Sequence, residues 1–302
     1  MNPRILVVSS HPAVDVEWRV ARVLPEEKNL ILEERRWPGG KGINVARWLK
    51  WLGAEPIILL PIGGDTGQEL VRGLVAEGIE FLGVPIGEPN RANVVVSQEK
   101  GPQYRFNAIR PRLSRTEANA FASAFQTLAQ TASLIVISGT LAPGLPTNYY
   151  GQLIRQAVTD GSQVVLDCDG AAFEKALGAH PFLVKPNEFE LSEWVGKPLR
   201  SEKSLRDAAF ELSRKTRGWV MVSRGAKGAL LANADESVCF TQDAEKVTVR
   251  NSVGAGDAMV AAAAYALAGG QSPAEWLDSS LKTAAQLVRL PPGTLPRPKR
   301  RK

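Results

Sequence analysis

Two cysteines, Cys168 and Cys239, and two histidines, His11 and His180, are all that 302 residues offer to soft metals or disulfide chemistry. A disulfide framework is excluded, as is a Cys/His zinc site without carboxylate help, and any metal chemistry has to use oxygen ligands. No apolar run approaches the roughly 18 to 20 residues that a membrane-spanning helix needs. The opening MNPRILVVSSHP enters a strand pattern directly, without a signal-peptide layout, so the chain is expected to be cytoplasmic and to have no membrane partner. Excess charge of one sign is scarce as well. Lys and Arg number 37 against 31 Asp and Glu, a net of +6, but five of those six charges sit at Arg297, Lys299, Arg300, Arg301 and Lys302. The rest of the chain nets only +1, which excludes the broad basic face of a dedicated nucleic-acid binder. The segment 296–302 reads instead as a disordered basic tail.

What is present is a rhythm. Apolar runs at Ile5–Val8, Pro56–Leu60, Asn93–Ser97, Leu134–Ser138, Gln163–Asp167, Phe182–Lys185, Trp219–Ser223 and Ala229–Leu231 read as strands, several of them covered on both faces. Helical patterns lie between them at Ile43–Leu52, Gly67–Glu77, Thr116–Thr131, Thr147–Thr159, Ser201–Arg217, Asp257–Ala268 and Ala274–Arg289. The alternation predicts an α/β fold, a doubly wound, mostly parallel sheet with helices on both sides. Residues 14–37 and 91–107 break the rhythm. Their alternating polar and apolar positions predict half-exposed antiparallel strands, a small sheet that serves as a lid. One domain over 1–302 accounts for all of this.

Four segments carry chemistry. Asn251-Ser-Val-Gly-Ala-Gly-Asp-Ala-Met259 runs straight into a helix. Gly254, Ala255 and Gly256 are small enough for backbone to wrap a ligand, and the helix start offers free N–H groups and a positive dipole end. Asp257 lies in that first turn, beside any phosphate held there. By itself such a turn reads equally as a plain Gly-rich turn with an Asp cap. Pro38-Gly-Gly-Lys-Gly-Ile-Asn-Val-Ala46 opens another helix and suits a polyhydroxy or phosphorylated ligand, or else a flexible loop with an N-cap. Lys185-Pro-Asn-Glu-Phe-Glu190 presents Asn187 and Glu190, oxygen groups suited to hydrated Mg²⁺ but also to solvent. Ser223-Arg-Gly-Ala-Lys-Gly228 forms a turn at a strand's carboxyl end, where nucleotides bind in open α/β sheets.

GGKGINVA near the start and VGAGDAMV near the end resemble the two signature regions of the ribokinase-like (PfkB) carbohydrate kinases, over nearly the whole chain. His11-Pro-Ala-Val-Asp15, Arg91-Ala-Asn93, Gln103–Asn107, Ile137–Gly144 and Lys185-Pro-Asn-Glu are similar to the phosphosugar branch: 1-phosphofructokinase, tagatose-6-phosphate kinase and the minor 6-phosphofructokinase. The resemblance implies ATP as donor with Mg²⁺, room for a monovalent cation, a ketohexose monophosphate as acceptor, and a lid that clasps a second copy in a homodimer. It implies Asp257 as catalytic base with Gly254, Ala255 and Gly256 as anion hole. Asp15, Gly40, Asn44 and nearby Ser138 are then expected to hold the sugar, and Lys41, Arg91, Lys28 and Arg105 its phosphate. Lys185, Asn187, Ser223, Gly225 and Gly228 fall on the nucleotide side, with Glu190 and Asn187 toward Mg²⁺ through water. Within the branch, fructose 1-phosphate is the favoured acceptor, with fructose 6-phosphate and tagatose 6-phosphate as alternatives.

Several positions depart from that pattern. His11 replaces Asn, Asp169 replaces Ser, and Ile109-Arg110 replaces a Pro-Gly pair, placing a long cation where it is expected to add a phosphate contact or alter size selection. Pro291 stands where an Asn-containing turn is usual, so donor choice is less determined than the transfer chemistry. A sensor without catalysis, its tail touching nucleic acid, is the rival from another class. Asp257 and its intact turn oppose it. A nucleoside or ribose kinase is opposed by Lys41 and Arg91, which a neutral sugar leaves without partners. Trp48, Trp51 and the two cysteines read as packing residues, and His180 as a loop residue.

Overall fold

A computed structural model describes residues 3–296. The expected tail, apart from Pro296, lies outside them. Along the chain run β1 (Arg4–Val8), β2 (Ala13–Val20), β3 (Glu33–Gly39), α1 (Lys41–Leu52), β4 (Glu55–Ile62), α2 (Gly64–Ala76), β5 (Glu80–Pro85), β6 (Arg91–Gln98) and β7 (Tyr104–Asn107). There follow α3 (Arg115–Ala129), β8 (Leu134–Ser138), α4 (Tyr149–Thr159), β9 (Gln163–Asp167), α5 (Gly170–Ala176), β10 (Leu183–Val184), α6 (Glu188–Val195) and α7 (Glu202–Thr216). The remainder is β11 (Trp219–Ser223), β12 (Ala229–Asn233), β13 (Val238–Gln242), α8 (Ala255–Ala268) and α9 (Pro273–Val288).

Nine strands form one sheet in the order β13-β12-β11-β10-β9-β8-β1-β4-β5, parallel except for the last two pairings at the β13 edge. Successive side chains of a strand point to opposite faces, and β1 shows both faces covered. Ile5 and Val7 enter a core shared with α1, α8 and α9, while Leu6 and Val8 enter one shared with α3, α4 and α7. That is why the strand runs are continuously apolar. The chain leaves β1 toward β4 on one side and returns to β8 on the other, so the strand order reverses at β1 and opens a crevice at the carboxyl ends.

Residues 14–37 and 91–107 form the separate small sheet, in the order β3-β2-β6-β7. One expectation is corrected: β2 and β6 pair in parallel, Ala13 opposite Arg91. These two strands come from distant parts of the chain, and their alternation is the same for either direction of pairing. β5, β13, α5 and α6 have no counterpart in the sequence reading. Each is short, and β5 mixes half-exposed positions with a glycine. No helix among the described residues is long and apolar enough to cross a membrane.

Candidate active site

The ends of β1, β8 and β9, the starts of α1 and α8, and one face of the small sheet surround a cavity of about 810 Å³. At its floor Asn251 folds the chain back on itself: its Oδ1 accepts from Val253 N at 2.9 Å and its Nδ2 donates to Val253 O at 3.2 Å. Gly254 then caps α8 with φ of 83°, a left-handed conformation that favours glycine. Gly254, Gly256 and Asp257 line the cavity, and apart from Ala255 N, which donates to Ser252 O at 3.4 Å, first-turn N–H groups have no carbonyl one turn back to bind. Anion-seeking donors are therefore presented beside a carboxylate.

Asp257 is buried, and its Oδ2 accepts from Asn44 Nδ2 of α1 at 2.8 Å. Burial pushes its pKa up to about 6, with a further push from the Asp167 carboxylate, against the pull of Lys41, the Asn44 bond and Lys185. Such a carboxylate ionises near neutral pH and is a stronger base than an exposed one. Lys185 Nζ lies 3.4 Å from Asp167 Oδ1, and a Cβ on Gly256 would come within 3.3 Å of that same ammonium. Lys41 Nζ lies 3.8 Å from both Asp167 Oδ1 and Asp169 Oδ2. Burial works against its charge, but Asp167, Asp257, Asp169 and Glu190 outweigh it, and Lys41 stays a cation at every pH of interest. Two ammonium groups thus flank the glycine turn, and Asp169 has a partner that explains its carboxylate.

On the small-sheet side Asp15 Oδ1 accepts from Asn93 Nδ2 at 3.0 Å, and burial raises the Asp15 pKa. Gly39, directly behind, has no room for a side chain, because a Cβ would overlap the Asp15 carboxylate. Arg91 donates through Nη2 to His11 O and through Nη1 to Ala108 O, both at 3.0 Å, leaving its Nε buried and unpartnered. Arg105 reaches the cavity from β7, tethered to Gln103. His11 is held neutral, its pKa lowered to about 4 by burial and the Arg91 charge. Arg110 does not line the cavity: its Nη1 donates to Glu88 Oε1 at 2.9 Å.

Asn187 and Glu190 line the cavity while closing a capping box on α6, each side chain accepting from the other's backbone N–H at 2.8 Å. Only one Glu190 oxygen is used there, so the other is free for a hydrated cation. Ser223 lines the cavity as well. Gly225 and Gly228 do not. They shape the turn after β11, where Gly228 N donates to Gly225 O at 3.1 Å. Ala255 and Ser138 lie behind the cavity wall, Ser138 Oγ being buried without a partner. Lys28 sits on the exposed 21–32 segment, away from the cavity. The sequence reading assigned no site role to Trp37, Arg47, Asn93 or Asp167, all of which line it. Asp167 had a signal in its place at the end of a predicted strand; the others depend on how distant segments meet.

A family model described as pfkB family carbohydrate kinase matches residues 4–300. The chain is 35% identical over 295 residues to an "ATP-dependent 6-phosphofructokinase isozyme 2" of Mycobacterium tuberculosis, covering 97% of this chain and 86% of that one. The crystal structure of Escherichia coli phosphofructokinase-2 in complex with fructose-6-phosphate superposes with a TM-score of 0.88 at 31% identity, over 95% of this chain and 94% of the other. A Thermotoga maritima protein described as "Possible 1-phosphofructokinase" shares the fold, with a TM-score of 0.86 at 24% identity over 97% and 94% of the two chains. With the ribokinase-like architecture, the glycine turn and its buried aspartate in place, the chain belongs to the pfkB family of carbohydrate kinases, as an ATP-dependent sugar-phosphate kinase of the phosphofructokinase type.

Proposed function

We propose that the protein phosphorylates fructose 6-phosphate at its free primary hydroxyl, giving fructose 1,6-bisphosphate. The acceptor expected from the sequence is fructose 1-phosphate, which yields the same product from the other end, although the motifs alone do not separate the two. The order is reversed here because the Mycobacterium tuberculosis relative is named as a 6-phosphofructokinase and the Escherichia coli one as phosphofructokinase-2, the latter in complex with fructose 6-phosphate. The observation that carries the kinase reading is Asp257, buried at the start of α8, bonded to Asn44 and faced by Lys41 and Lys185.

In this reading the acceptor oxygen loses its proton to Asp257 and forms a bond to the γ-phosphorus of ATP. The bond from that phosphorus to the β,γ-bridging oxygen breaks, and its electron pair leaves with ADP. Asp15, Gly40 and Asn44 hold sugar hydroxyls, while Arg91 and Arg105 meet the sugar's own phosphate. Lys41, expected at the sugar's phosphate, is read here on the transfer side; its acidic neighbours Asp167 and Asp169 support that reading, in which with Lys185 and the Gly254–Gly256 turn it neutralises the moving phosphoryl group. Mg²⁺ commonly binds through one or two carboxylates together with substrate phosphates and water. The free oxygen of Glu190, with Asn187 beside it through water, suits that role, and the ion would supply charge neutralisation of the ATP phosphates.

A coupled ADP-release assay tests the reading. Specificity constants for fructose 6-phosphate, fructose 1-phosphate and tagatose 6-phosphate should rank fructose 6-phosphate first, and turnover lost in Asp257→Ala. A higher constant for either rival reassigns the acceptor. No turnover with any of the three refutes the kinase reading.

A further inference from the structure

After α9 the chain does not run on along the surface. Residues Pro291–Leu295 line the active-site cavity. This strap holds prolines at 291, 292 and 296, which lack the N–H that a sheet ladder requires, and side-chain donors hold two of its carbonyls. Two such donors stand one helical turn apart on α1. Arg47 Nη2 donates to Gly293 O at 2.9 Å, and Trp51 Nε1 donates to Pro296 O at 2.9 Å. Arg47 is 8% exposed, and its Nε is fixed by Glu77 Oε2 at 2.7 Å.

The strap presses on the small sheet. Gly293 has φ of 68°, and a Cβ there would overlap the indole of Trp37. Trp37 pairs across β3 and β2 with Asp15, and the Arg47 charge is felt at the Asp15 carboxylate. One guanidinium therefore joins the end of α2, the middle of α1 and the strap, and through Trp37 it bears on the strand that carries Asp15. The helix it sits on also carries Lys41 and Asn44.

We propose that Arg47 is a positioning residue that seats the Pro291–Pro296 strap against Trp37 and thereby sets the sugar side of the active site. It acts through the strap and Asp15 rather than on the reacting atoms, so its loss is felt in acceptor binding before it is felt in transfer. The proposal rests on the sugar-phosphate kinase reading above.

The test compares wild type with Arg47→Ala, Arg47→Lys and Gly293→Ala. Arg47→Ala is expected to raise the KM for fructose 6-phosphate about tenfold, the scale of one hydrogen bond to a charged group, with the KM for ATP within about twofold and kcat reduced less than the sugar KM rises. Millimolar guanidinium chloride should restore much of the loss in Arg47→Ala, against a potassium chloride control. Arg47→Lys keeps the charge but cannot bridge Glu77 and Gly293, and should not restore it. Gly293→Ala should raise the sugar KM without guanidinium rescue, since its donor is intact and its contact with Trp37 is displaced. A folded Arg47→Ala whose sugar KM is unchanged, or whose two KM values and kcat shift together without rescue, overturns the proposal. Tryptophan emission gives a readout independent of turnover, because Trp37 and Trp51 touch the strap. If wild type turned over none of the sugars, the kinase reading would fail alone. A shift in Arg47→Ala emission that guanidinium reverses would still uphold the strap, and an unchanged spectrum would overturn it.

Discussion

In the proposed mechanism Asp257 has to be charged to act, yet it is buried where charge is disfavoured. Removing a general base costs about 10² to 10⁴ in rate, so Asp257→Asn should lower kcat by that much. Since the base works ionised and its pKa is raised to about 6, kcat/KM of wild type should fall as the pH drops through about 6. The Asn44 bond holds that value down, so in Asn44→Ala the acidic limb should move to higher pH. A pH-rate profile checks both, and an acidic limb at 4 in either protein would contradict the burial argument. The same shift bears on stability. A carboxyl with a raised folded pKa is neutral in both states below its unfolded value, and its ionisation penalty grows as pH rises from 3.8 to about 6. Asp257→Asn should therefore raise the melting temperature of the ligand-free protein at pH 8 but not at pH 3.5.

At the scale of elements, α6 shows one pair of residues meeting two demands. Asn187 and Glu190 form a capping box, which is a sufficient reason for N-x-x-E at a helix start, and the same side chains line the cavity. Glu190→Gln separates the demands, because glutamine still completes a capping box but brings no negative charge to a cation. Its melting temperature should stay within a few degrees of wild type, while the Mg²⁺ concentration for half-maximal rate rises severalfold. An unchanged Mg²⁺ requirement would leave Glu190 with the cap alone. This pair is legible in the sequence, and the strap on α1 is not. Gly254–Asp257 and Asn187–Glu190 are local patterns, legible because a helix start and its ligands are adjacent in the chain, whereas Arg47 meets Gly293 across 246 positions.

For the whole molecule, the small sheet leaves apolar side chains uncovered: Leu30 is 69% exposed, Leu32 57% and Phe106 59%. We assign these to the lid contact of a homodimer. The same segment carries Lys28, which does not line this chain's own cavity. Sedimentation of wild type should give a dimer, and Leu32→Glu combined with Phe106→Glu should give a folded monomer with weakened sugar-phosphate binding. A monomeric wild type would refute the assignment. Deleting Arg297–Lys302 removes five positive charges. It should leave kcat and both KM values unchanged and weaken retention on an anionic resin, which a salt gradient would show.

The alternation of apolar runs and helices determined the doubly wound sheet, because buried parallel strands have to be apolar on both faces and their helices on one. The glycine turns and their charged neighbours determined the chemistry, because a helix start that binds phosphate needs small residues and a nearby base within a few positions. Three matters were left to the tertiary structure: the direction of the β2–β6 pairing, the placing of Lys41 beside Asp167 and Asp169, and the seating of Pro291–Pro296 by Arg47. Each brings together segments far apart in the chain, where neither periodicity nor spacing carries information, and only packing decides which side chains meet.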